Sequence, residues 1–201
     1  MKTKIRRLSA AGMLAGALLV AGASPALANI ITFNVKWSGA SFGNTATATG
    51  FITVDGSGLP EIGSQNQIFL PDANVVDLGI TITGASVGNG TFGLANFSFL
   101  YFAAPTALDL SNELIGQVLG NGCLFGTSVG PCGDGLGGDF NLFGIGPTEP
   151  SGTWFFQLTT EGGVGDSMLV TSMTPAPEPA SLALLGLGLA GLGLSRRRKA
   201  A

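Results

Sequence analysis

The chain has 201 residues and a formal net charge of −3, a small number that conceals three unlike segments: residues 1–28 carry +4, residues 29–174 carry −10 with Lys36 as their single base, and residues 175–201 carry +3. With no histidine anywhere, a Ser-His-Asp triad, a histidine general base and a histidine-ligated metal are excluded. One base in the whole middle of the chain leaves no phosphate clamp and no basic patch for nucleic acid.

The first residues, Met1 to Arg7, are basic; Leu8 to Gly22 is apolar; Ala26-Leu27-Ala28 then places small residues at both positions a signal peptidase reads. Residues 1–28 are therefore predicted to be a secretory signal peptide, handed to the export machinery and cleaved after Ala28 so that Asn29 becomes the new N-terminus. What remains up to residue 174 is the length of one domain, rich in Gly, Thr, Ser, Asn and Phe and poor in charge.

Period-2 alternation predicts strands along this domain. Ile31–Trp37 sets Phe33, Val35 and Trp37 on one face. Asn44–Val54 turns Ala46, Ala48, Ile52 and Val54 inward and Thr45, Thr47, Thr49 and Thr53 outward. Val75–Thr83 turns in Leu78, Ile80 and Ile82. Asn96–Phe102 carries apolar groups on both faces, the pattern of a strand buried on both sides. Asp139–Ile145, Thr153–Thr160 and Asp166–Met173 complete the set. The one predicted helix is Ser111–Leu119, with Ser111 as N-cap, Glu113 in its first turn and Gly120 as its stop. Short strands separated by Gly and Asn turns predict an all-β fold, an antiparallel β-sandwich with one short helix. Ser38–Asn44 recurs as Thr83–Asn89 at an offset of 45 residues, so each copy reads as strand, Gly-rich connection, strand.

Chemistry is sparse. Cys123 and Cys132 are the only cysteines, and in an exported chain they predict a disulfide; closing a loop of about ten residues contributes roughly 2–3 kcal/mol. Gly133–Phe140 resembles a single glycine-aspartate calcium unit, which makes Asp134 and Asp139 weak oxygen ligands for Ca²⁺, but one copy without a partner assigns no metal and no cofactor. Asp72 with Asp77, and Asp109 with Glu113, are the closest acidic pairs. Nothing marks either as a facing pair of the kind glycoside hydrolysis needs, so both are read as solvating acids and no catalytic residue is assigned. Sugar stacking calls for an exposed aromatic, yet Trp37, Trp154 and Tyr101 each fall in strands that would turn them inward, and the 13 phenylalanines read as core.

After residue 174 the composition changes. Pro175-Ala176-Pro177-Glu178-Pro179 is an extended spacer, Ala180–Leu194 is an unbroken run of small and apolar residues, and Arg196, Arg197, Arg198 and Lys199 form a basic cluster. A helix over 180–194 would reach ~22 Å, short of a ~30 Å hydrocarbon core but within reach of it by local thinning and arginine snorkelling. The cluster would stop transfer and stay cytoplasmic.

Those three parts in that order resemble the PEP-CTERM sorting domain, over about residues 175–199. The resemblance implies a Gram-negative host, export across its inner membrane, a transient membrane anchor, and processing near Pro177, Glu178 and Pro179 by an exosortase, followed by release to the cell surface or medium. It also implies a setting of exopolysaccharide and biofilm. The central domain is similar to other β-rich domains that carry this tail, a likeness that brings no activity with it. The expectation is an exported, non-catalytic structural or adhesive protein, with a carbohydrate- or calcium-binding module as the alternative.

Overall fold

The computed structural model describes residues 30–55, 65–104, 108–153 and 155–177. The predicted signal peptide, with Ala26, Ala28 and Asn29, and the tail from Glu178 through Pro179, the apolar run and the basic cluster lie outside the described residues. Among those described, no helix is long and apolar enough to cross a membrane.

Among the described residues, nine strands make two antiparallel sheets: β1 (Ile30–Ser38), β2 (Thr47–Asp55), β3 (Gln65–Phe69), β4 (Val75–Thr83), β5 (Gly90–Gly93), β6 (Phe97–Ala103), β7 (Asp139–Gly144), β8 (Gln157–Thr159) and β9 (Ser167–Pro175). The large sheet has the order β5-β4-β2-β1-β9-β8 and the small one β3-β6-β7. Their inward faces share one core. Trp37 of β1 stacks on Phe140 of β7 at 6.4 Å between ring centroids, which ties the two layers together.

The alternation in the sequence is the alternation in the structure. Phe33, Val35 and Trp37 are buried in β1, and Ala46, Ala48, Ile52 and Val54 are buried in and just before β2, while Thr47 and Thr49 are exposed. Where the apolar spacing slips from two to three, the ladder carries a bulge that restores the inward phase. In β4 the buried residues are Val75, then Leu78, Ile80 and Ile82, and the register against β2 shifts between Thr53 and Val54. In β9 they are Met168, Val170 and Met173, and the shift against β1 falls between Lys36 and Trp37. In β6 Phe97 and Leu100 are buried with Ser98 skipped between them.

That third bulge corrects the reading of β6. It is the middle strand of the small sheet; Phe97, Leu100 and Phe102 pack into the core, but Phe99 and Tyr101 lie on the other face and are only half-buried. The 45-residue repeat has a counterpart in the fold. β1 and β4 coincide under that offset, nine residues each, and each continues through its Gly-rich connection into an antiparallel neighbour, β2 and β5. The copies then part, because the second leaves the large sheet after Gly93 and enters the small one at Phe97.

Ser111–Leu119 is not helical; the described residues contain no α-helix, only four three-residue 3-10 turns. A nine-residue helix is marginal on its own, and its cap signals are spent on other partners. The Asp109 carboxylate takes the Ser111 N–H, the Ser111 hydroxyl and Asn112 Nδ2. Leu114 N–H donates to the Met173 carbonyl and Gly116 N–H to the Phe125 carbonyl, and Gly116 sits at φ +91°, a left-handed value that ends helical propagation.

Candidate functional site

The first and last described residues of the domain lie at the same end of the large sheet. β1 starts at Ile30, immediately after the predicted cleavage point, and β9, its antiparallel partner, ends at Pro175 opposite Phe33. The last rung is Ala176 N–H donating to the Thr32 carbonyl at 2.6 Å, and Pro177 beyond it is exposed. Proline has no N–H to continue a ladder, so the sheet stops where the Pro-Glu-Pro motif begins. Beyond the short β8, which pairs with β9 only as far as Leu169, Glu113 and Leu114 take over the side of β9. The Glu113 carboxylate accepts the Met173 N–H and the Ser172 hydroxyl, both at 2.6 Å, and the Ile115 N–H at 3.0 Å. Burial works against its charge, but these donors outweigh it and hold its carboxyl below the usual range.

Cys123 and Cys132 are bonded, with their Cα atoms 5.6 Å apart. The bridge sits in a segment, 108–138, that has no strand of its own and yet buries Leu114, Leu119 and Phe125 almost completely. Phe125 meets Phe156 edge-on at 5.0 Å, so the segment plugs one part of the core. Gly137 allows it to close: a Cβ there would lie 1.9 Å from the Thr127 carbonyl oxygen.

The weak calcium pair does not make a cage. Asp134 is exposed in a turn, whereas Asp139 opens β7 and is buried. Its Oδ1 already accepts Asn141 Nδ2 at 2.8 Å and the Phe156 N–H at 3.3 Å, and no group of three acidic, cysteine or histidine side chains converges among the described residues. Burial raises the Asp139 carboxyl to about 6, against the backbone donors of Phe156 and Phe140 that favour its charge. This is one acid of the domain that does not face water. Of the other paired acids, Asp72 caps its own turn by accepting the Asn74 N–H, Asp77 accepts the Leu78 N–H, and neither Asp109 nor Glu113 faces the other across a cleft; each is consumed by the local donors named above.

The outward face of the small sheet carries what the sequence concealed. The register sets Phe69, Phe99 and Phe143 side by side on three adjacent strands. Phe99 and Phe143 stack at 4.1 Å and 17° between planes, and Phe69 tilts against Phe99 at 6.1 Å. Phe69 is 67% exposed. The next row pairs Gln67, Tyr101 and Asn141, with Tyr101 half-buried and Asn141 buried beneath Gly152. Desolvation, then the neighbouring Asp139, raises the Tyr101 hydroxyl. Trp37 is in the core as expected, Trp154 lies outside the described residues, and the phenylalanines are not all core: Phe42, Phe51 and Phe69 are exposed.

Residues 175–199 match the PEP-CTERM protein-sorting motif. No curated protein and no solved structure matches the chain.

Proposed function

We propose that this is an exported, exosortase-processed protein of the cell surface or extracellular matrix, with a structural or adhesive role and no catalytic one. The observation that carries it is the sorting motif at residues 175–199, set directly on the end of β9. The motif implies export, a transient C-terminal anchor and processing; the role of the delivered domain is our reading of its chemistry. No histidine is present. Asp72, Asp77 and Asp109 are spent on neighbouring backbone and side-chain donors, Glu113 on β9, Asp166 on Ser86 and Asp139 on its buried cluster. The core is closed by a disulfide suited to an oxidising compartment. Fractionation of cells making the full chain tests this. The domain is expected in the medium, the outer surface or the extracellular polysaccharide wash, and retention of all of it in the inner membrane would contradict it.

The row Phe69, Phe99 and Phe143 favours a second reading, a site for a neutral carbohydrate. Flat apolar rings beside the polar row of Gln67 and Tyr101 suit the C–H face of a sugar, and a domain with one lysine repels polyanions. Loss of binding to neutral glycans in Phe69→Ala with the melting temperature held would support it; equal binding by the variant would remove it.

A further inference from the structure

The distance between the fold and the sorting motif is set by a hydrogen bond. Ala176 is the last residue held in the sheet, by its N–H on Thr32, and the apolar run begins at Ala180. Four Cα steps reach at most roughly 14 Å, and the headgroup layer alone takes up about 5–7 Å of that. While the anchor is in place, the domain is therefore held within about 10 Å of the membrane surface, by one end only.

That end is a defined surface. β1 starts there at Ile30, which is 47% exposed and pairs with Asp55 at the end of β2. Asp55 N–H donates in turn to the Asn74 carbonyl, so the turn that leads into β4 lies in the same row. In that turn Val75 N–H bonds the Asp72 carbonyl and Asn74 N–H the Asp72 carboxylate, leaving Ala73 exposed and outside every one of these bonds. Among the described residues, the strand ends and the 71–74 turn thus lie at the same end of the large sheet as the point where the motif emerges.

We propose that this pole, comprising Ile30, Ala73, Asn74 and Ala176, docks against the membrane-embedded enzyme that processes the tail, pressed there by the short tether, so that added bulk on the pole hinders entry of the motif into the active site. Glu178 is two residues from the last rung, too near for an active site to close around the motif without meeting the pole. The proposal rests on the tail being processed.

The test uses the full chain in a host with its processing enzyme and follows conversion of precursor to mature protein by pulse-chase. Ala73→Trp adds bulk to the pole at a residue that supports no bond of the turn. It should slow conversion at least fivefold. An eight-residue Gly/Ser spacer between Ala176 and Pro177 should restore the wild-type rate to Ala73→Trp, since the enzyme would no longer be pressed against the domain. Equal rates for wild type and Ala73→Trp would overturn the docking, as would slowing that the spacer does not relieve. Both variants must keep the wild-type melting temperature, and Ala73→Ser gives the tolerated control. If the wild type yields no mature species at all, the reading of the tail fails, an outcome distinct from normal processing that ignores the pole.

Discussion

The large sheet and the 108–138 segment bury side chains equally well by opposite means. In the sheet, burial comes from repetition. Phe33, Val35, Ile52, Val54, Leu78, Ile80 and Val170 each occupy the same kind of site, and outward threonines pair across strands, Thr32 with Thr53 at 2.9 Å and Thr81 with Thr91 at 3.0 Å. In the segment every contact is used once: one disulfide, one carboxylate on β9, one glycine under one carbonyl, one phenylalanine against Phe156. A repeated arrangement spreads its stability over many small terms and tolerates the loss of one. A single-use arrangement concentrates it, so single substitutions in the segment should cost far more than single substitutions on the outward face of the sheet.

The largest effect belongs to Gly137→Ala. Its Cβ would stand 1.9 Å from the Thr127 oxygen and 3.2 Å from the Cys132 oxygen, both backbone atoms that cannot turn aside, so a loss of more than ~3 kcal/mol is expected from chemical denaturation, or failure to fold. Phe125→Ala, which empties a fully buried site, should cost ~3–5 kcal/mol. Replacing Cys123 and Cys132 together by serine should cost roughly 2–3 kcal/mol by releasing a short loop in the unfolded chain. If any of these three falls below the cost of an outward threonine, the contrast between the regions fails.

Asp139 sharpens the contrast through pH. Its carboxyl is raised in the folded state to about 6 from 3.8, so the native protein favours the protonated form. Below pH ~4 the group is protonated in both states and carries no penalty; as pH rises through the interval up to 6 the fold loses stability, and above it the loss is complete. Asp139→Asn should therefore lack this loss, and its melting temperature relative to wild type should rise between pH 4 and pH 8. A constant difference across that range would show the carboxylate to be better solvated than its burial implies. The smallest expected effect is Thr81→Ala on the outward face, within about 1 kcal/mol.

The same difference decides what was legible in the sequence. Regular strands announce themselves through alternation, and β1, β2 and β4 fall where period 2 sets them, with the inward residues correctly sorted. β3 and β5 do not, since Gln65–Phe69 is mostly polar and half of Gly90–Gly93 is glycine; both are edge strands, specified by their neighbours. Ser111 and Glu113 look like helix caps because the groups that cap a helix are the groups that satisfy any backbone, and here Glu113 satisfies β9. The sorting motif is legible because it is read as a linear string. The aromatic row is not, because Phe69, Phe99 and Phe143 arrive from three strands far apart in sequence and become neighbours only through register. A sequence shows that each could be buried; the spacing of the bulge at Ser98, with Phe97 and Leu100 three apart, was the one local sign that Phe99 turns outward.

Export followed by removal of the tail is the claim on which the functional account stands, and intact mass spectrometry of the protein recovered from cell surface and medium measures it directly. The account predicts one species that begins at Asn29, lacks Arg196–Lys199 and contains no free thiol. A recovered chain that still carries the basic cluster, or that begins at Met1, would contradict it.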